Sequence, residues 1–471
     1  MKIKKFMSMI MVFALIVSTL LAGCGPAGMT NDDDPSDGRT RLYVSVYKAG
    51  EGIKWLEDIA AAYEKENENV KVVIYGDAQM EQVAQAAIEA GKGTADIYSS
   101  LDDGNYYQNV INGRLEPLND LYDMLVDGTD KVKDIISADA VASTLYEGNY
   151  YAMPWHRQAL GIIYNKTMFE TKGWEVPTTM NEYYALCDQI CRESEVYPFA
   201  YCGGITDGYF GEFVKSLMFQ YGGKTSAEEF YAAESPEIYK QEGRLEAYKA
   251  VGRMIAGEGV DANGKTKTWA LPGSKGFDHL QVAQEFIKGN CAMFLGGSWF
   301  PIENKEFLAD YPNFNAAIMH TPWIQDDKIS LDGGTQCANM TKVTRLVIPK
   351  AAENKEIAKD FLRFMNTKAM RKVFIEAMNG TPRPTTYDGV DLSGLDDFGR
   401  SVLDIVENDF FYNGVGMSEK FKNGDLSIIL ANNGEICSFF NNTVMSLSQI
   451  MSAAQGIVDA DYSVAVQRFS I

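Results

Sequence analysis

At 471 residues the chain is longer than a single hydrophobic core usually supports, so at least two globular units are expected. A composition of 46% hydrophobic, 12% aromatic and 23% charged residues excludes a wholly disordered chain. The net charge of −21 excludes nucleic-acid binding through a basic stripe, which needs cations to displace counterions; solubility is the plain account of the acidity.

The N-terminus opens on MKIKK, continues with an apolar run from Phe6 to Ala22 and reaches Leu21-Ala22-Gly23-Cys24. A basic start, a short apolar stretch and small residues before a cysteine predict an export signal over 1–23, cleaved before Cys24. The run falls short of the roughly 20 residues that a spanning helix needs. The string around Cys24 resembles the bacterial lipobox, which implies a diacylglycerol on the thiol, acyl chains such as palmitate, and anchoring on the outer face of a bacterial cell membrane. An ordinary signal peptide or an uncleaved anchor with a chance cysteine is the alternative. From Gly25 to Thr40 the Gly-, Asp- and Pro-rich chain predicts, with Cys24, a flexible tether over 24–40 whose reach is roughly 20 Å.

Beyond the tether, RLYVSVY alternates apolar and polar side chains and predicts a strand over Leu42–Tyr47, broken by Gly50-Glu51-Gly52. Ile53, Leu56, Ile59, Ala60 and Tyr63 stand at helical spacing, and the polar KENEN stretch ends that helix before a strand over Val70–Tyr75. Val83, Ala87 and Ile88 mark a second helix, Gly91 and Gly93 its end, and Ala95–Ser99 a third strand. Such alternation predicts an α/β fold with parallel sheets and ligands at the carboxyl ends of strands. The turns after Tyr47 and Ser99 then offer Lys48, Glu51, Asp102 and Asp103 as site candidates. Asp102 and Asp103 are adjacent and cannot easily flank one bond as hydrolytic carboxylates do, so they suit binding or helix capping.

Further on, Pro154 between two strand-like runs predicts a stiff crossing between units, followed by Trp155, His156, Arg157 and Gln158 and a buried strand over Ala159–Tyr164. Trp155, Arg157 and Gln158 are candidates for a site at that junction or for core and salt-bridge positions. Trp299 follows the small Gly296-Gly297-Ser298 turn, which would let a ligand approach an aromatic face. Trp323, Gln336 beyond the Gly333-Gly334 turn, and Arg383 in the Thr381–Pro384 loop complete the candidates, whereas Trp55, Trp174 and Trp269 are expected in the core or at the surface. Seven cysteines without a CxxC pair indicate no zinc site, and the six other than Cys24 are expected as free or buried thiols. No metal or cofactor is expected.

Three segments carry a resemblance: NGRLEPLNDL from Asn112, NYYAMPWHRQALGIIYNKTMFETKGWEVPTTMNEY from Asn149, and FIKGNCAMFLGGSW from Phe286. With NKEIAKDFLRF from Asn354 they resemble the family 1 extracellular solute-binding proteins, which include maltodextrin-binding proteins and sugar-binding lipoproteins of ABC importers. The resemblance spans roughly residues 40–385, and the last 85 or so match poorly although they look helical. It implies a two-lobe periplasmic-binding-protein-like fold, each lobe a mainly parallel sheet flanked by helices. Residues 41–154 plus about 335–378 are expected to form the first lobe, and 155–334 plus about 379–471 the second. It implies carbohydrate capture between the lobes by a monomer that serves a membrane permease, with Trp299 at the stacking position. Gln158 stands where the maltodextrin-binding branch carries a glutamate, so the sugar is left open. A secreted glycoside hydrolase is the rival, opposed by three histidines without HExxH or GxSxG, and the same fold with a non-sugar solute is a third reading.

Overall fold

A computed structural model describes residues 37–48, 50–92, 95–100, 103–204, 209–325, 341–381, 384–409, 433–440 and 444–470. The signal segment, Cys24 and all but the end of the tether lie outside these residues, as do Asp102, Gln336, Cys337 and Arg383. Strand β1 (Thr40–Tyr47) puts Leu42, Val44 and Val46 on one buried face, as its alternation predicts. It pairs in parallel with β2 (Val70–Asp77) and β3 (Ile97–Ser100). Between β1 and β2, α1 (Lys54–Glu66) buries Trp55, Leu56, Ile59, Ala60 and Tyr63. Between β2 and β3, α2 (Met80–Ala90) ends on Gly91, whose left-handed φ of 60° suits a residue without a Cβ.

The lobes are joined through two long strands. Strand β4 (Met153–Asn165) runs out of the first lobe, and after β5 (Tyr197–Ala200), β6 (Cys291–Gly297) and β7 (Ala316–Ile318) in the second, β8 (Thr341–Val347) runs back. The strand order is β2-β1-β3-β8-β4-β6-β5, with β7 also on β4. From Met153 to Ala159, β4 pairs with β8; from Leu160 onward it pairs with β6 and β7. The exchange of partners therefore falls between Ala159 and Leu160, later than the division after Pro154 expected from sequence. Pro154 instead lies within the first-lobe ladder opposite Arg345, beside a register shift between Val343 and Arg345, in keeping with a residue that has no N–H to donate. Because the connecting strands run in opposite senses, β8 enters antiparallel to β3, and β6 is antiparallel to β4 while parallel to β5.

One buried cluster belongs to the first lobe and includes Trp155, Leu346, Phe361 and Phe374. A second lies under β6 and β7 and receives Phe398, Val402 and Ile405 of the helix Asp397–Asn408. The third runs from Tyr98 and Tyr106 through Leu160 to Phe213 and the C-terminal helix Leu447–Phe469. Trp55, Trp174 and Trp269 are all buried, as expected for core aromatics. The five described cysteines, Cys187, Cys191, Cys202, Cys291 and Cys437, are buried, and none of them is in a disulfide.

His320, just past β7, contacts Asp409 at 2.6 Å through Nδ1 and Asp404 at 3.0 Å through Nε2. The hydrogen bond to Asp409 raises its pKa from 6.5 to about 9, burial opposes the rise, and Asp404 adds to it. A group that holds its proton more tightly when folded stabilises the fold fully below its unfolded pKa, and that contribution is lost as pH rises through the folded value. The melting temperature should therefore fall as pH increases from 6.5 to 9, and His320→Gln should flatten that part of the profile; an unchanged slope in the variant would refute the assignment.

Candidate ligand-binding site

The loop after β1 brings the first group of polar residues to the junction. Lys48 is exposed, its N–H donates to the Asp77 carbonyl at 3.0 Å, and its side chain lies over Gly76, where an added Cβ would stand 3.0 Å from the Lys48 Cβ. Glu51 is mostly buried: its Oε1 accepts from Gln158 Nε2 at 2.8 Å and its Oε2 lies 3.2 Å from His156 Nε2. His156 Nε2 also stands 3.3 Å from Thr344 Oγ1 of β8. Glu51 thus ties the loop to β4 directly and, through His156, to β8.

The period of two along β4 separates the remaining candidates of that segment. His156 and Gln158 meet Glu51, whereas Trp155 and Arg157 project from the opposite face. Trp155 is 1% exposed, with its ring centroid 5.0 Å from both Trp55 and Phe374, so it is a first-lobe core residue. Arg157 is buried and lines a different cavity of about 500 Å³, shared with Ile136, Ser137, Thr385, Tyr387 and Glu407. Burial, with Asp404 and Asp388 nearby, raises the pKa of the Glu407 carboxyl in that cavity. Of the two alternatives left open for these residues, Trp155 takes the core position, while Gln158 lies at the junction with Glu51.

The second lobe contributes the end of β6. Ser298 N–H donates to the Ala159 carbonyl at 2.9 Å, which fixes the turn beside the point where β4 changes partners. The indole of the partly exposed Trp299 folds back over Gly297, where an added Cβ would lie 2.3 Å from Cη2, and stands 5.8 Å from the Tyr209 ring. One turn on, the Glu303 N–H donates to the Trp299 carbonyl at 3.0 Å, and Glu303 Oε1 lies 3.2 Å from His279 Nε2. Glu303 also touches Gly50 of the first-lobe loop, so residues of both lobes meet here.

Tyr209, His279, Glu303 and the contact role of His156 escaped the sequence reading. The only hint for Glu303 was its place one turn after Trp299. Trp323 is 5% exposed and is pinned by backbone bonds to Thr178 and Met180 at the start of the helix Met180–Glu193, so it packs into the second-lobe core. Asp103 opens the helix Asp103–Ile111. Among the described residues, no group of three or more His, Cys, Asp or Glu side chains could hold a metal ion, and no helix is long and apolar enough to cross a membrane.

A two-lobed α/β body with polar and aromatic residues gathered where the lobes meet is the architecture of a solute receptor. The profile of the bacterial extracellular solute-binding proteins matches residues 49–372, and the chain belongs to that family. It is 23% identical over 210 residues to an ABC transporter extracellular-binding protein of Pyrococcus horikoshii, covering 42% of this chain and 45% of that one. It is 28% identical over 151 residues to the multiple sugar-binding protein of Streptococcus mutans, covering 32% and 33%. The chain thus matches less than half the length of these curated relatives. Among solved structures, the solute receptor AcbH, described as preferring β-D-galactopyranose, superposes with a TM-score of 0.68 at 16% identity over 91% of this chain and 100% of its own. RafE of Streptococcus pneumoniae gives 0.66 at 18% over 91% and 98%. At such identities these likenesses show the two-lobe fold.

Proposed function

We propose that this chain is the binding component of an ABC importer and captures a carbohydrate, in keeping with an oligosaccharide, between its lobes without altering it chemically. The observation that carries this reading is that Glu303, one turn from Trp299 and its neighbour Tyr209, meets the first-lobe loop that holds Lys48 and Glu51, with Glu51 bonded to Gln158. Sugars offer weakly apolar C–H faces for aromatic rings and hydroxyl edges for acids, amides and amines, so a site for them needs both kinds of group in one cleft. The names of similar proteins agree: a multiple sugar-binding protein, a galactopyranose receptor and RafE in complex with raffinose. Lobe closure would bury the ligand and present a distinct shape to the permease. Asp102, Asp103, Gln336 and Arg383 remain proposed contacts.

A thermal-shift screen of the purified mature protein against neutral oligosaccharides, with the sugars analysed afterwards, tests this reading. A saturable rise in melting temperature with the sugar recovered intact is expected; hydrolysed sugar would support the glycosidase alternative, and no shift with any sugar would sink the carbohydrate reading.

The same proposal includes an acylated Cys24 and a tether holding the body near the outer face of the membrane. Cys24→Ala should abolish incorporation of labelled fatty acid and leave the protein uncleaved or released, and undiminished labelling would refute the anchor.

A further inference from the structure

We propose that Glu303 and Gly50 form the closing contact between the lobes, and that the missing side chain at position 50 sets how far the cleft can shut. This rests on the solute-binding reading of the cleft but not on the identity of the solute. Gly50 belongs to the first-lobe loop after β1, and Glu303 ends the short second-lobe helix Phe300–Glu303. A Cβ added at Gly50 would stand 2.5 Å from Oε1, 2.8 Å from Cδ and 2.8 Å from Cβ of Glu303, and these are the three nearest heavy atoms. Carbon atoms in favourable contact stand about 3.5–4.0 Å apart. Swinging the carboxylate aside would relieve the first two clashes, but the Glu303 Cβ is fixed by the backbone.

The neighbouring Gly52 provides an internal contrast. Its φ is +64° and an added Cβ would meet nothing within 4 Å, so local conformation alone accounts for that glycine. At Gly50, by contrast, a side chain would run into a residue of the other lobe. Both sides of the contact are held from within their own lobes. Glu51 fastens the loop to Gln158 and His156, while the Trp299 carbonyl and His279 hold Glu303, whose side chain is 13% exposed. Two surfaces, each held by its own lobe, that meet across the cleft act as a stop. Because Glu303 lies one turn from Trp299, the depth of that stop also places the indole against whatever the cleft encloses. Glu303 and Gly50 are therefore positioning residues for capture.

Two experiments on the full mature chain decide this. With Gly50→Cys and Glu303→Cys combined, mild oxidation of the ligand-free protein should form an intramolecular disulfide that neither single variant forms, because the added Cβ would stand 2.8 Å from the Glu303 Cβ and a parting of the lobes by about 1 Å brings the pair to the roughly 3.5–4.5 Å that such a bond spans. Absence of that product, with the single variants as controls for the native thiols, would overturn the contact. In the second, Gly50→Ala should speed dissociation of the best sugar from the thermal-shift screen about tenfold, yet have little effect in a Glu303→Gly background, where the colliding Cβ is gone. Equal effects in both backgrounds would overturn the proposed stop. If no sugar binds, the carbohydrate reading fails while the cross-link still decides the contact.

Discussion

Asp461→Ala should destabilise the protein by about 3–5 kcal/mol, as removing one partner of a buried ion pair does, seen as a lower denaturation midpoint. Asp461 lies on the C-terminal helix Leu447–Phe469, and its Oδ2 accepts from Arg244 Nη2 at 2.7 Å and from Tyr248 Oη at 2.9 Å. The side chains of Arg244 and Asp461 are 0% and 5% exposed. Around the guanidinium stand the rings of Tyr239 at 4.9 Å, Tyr248 at 5.6 Å and Phe230 at 5.9 Å. These rings favour the cation but cannot replace a carboxylate, so truncation takes the Asp461 carboxylate from a buried cation and an acceptor from a buried phenol. The paired replacement Arg244→Met with Asp461→Leu should recover most of the loss, since apolar groups of similar volume avoid the desolvation of both ions. A loss below about 1 kcal/mol in Asp461→Ala would mean that the C-terminal helix is not held by this pair.

Trp299→Ala should weaken sugar binding by roughly 2–4 kcal/mol, which is at least tenfold, from lost burial of the ring and lost stacking. Gly297 covers part of the indole, Tyr209 stands beside it, and the ring remains partly exposed at the lobe junction. If the ring served only the core, truncation would instead lower stability by about 3–5 kcal/mol with affinity preserved in the folded fraction. Melting temperature and calorimetric affinity measured on the same variant separate these outcomes, and a large melting loss with intact affinity would refute the site assignment.

Local pattern was a good guide wherever one element decides its own burial. The alternation of β1, the helical spacing of Leu56, Ile59, Ala60 and Tyr63, and Gly91 as a helix end all stand where periodicity and backbone freedom put them. The C-terminal part, poorly matched by resemblance, was legible only as helical: Val402 and Ile405 are buried as their spacing suggests. Nothing local showed that Asp461 would meet Arg244.

The sequence by itself determined the two-lobe class and the first strand-helix units, and it offered Glu51, Gln158 and Trp299 as site candidates, because periodicity, turn chemistry and the quoted motifs are local properties. Only the tertiary structure decided that Trp155 and Arg157 turn away from Gln158, that the connecting strand changes partners between Ala159 and Leu160, and that Glu303 rests on Gly50. The reason is physical: a strand presents alternate residues to opposite faces, but which face meets the cleft, and which distant residue waits there, depends on how the other chain segments pack against it.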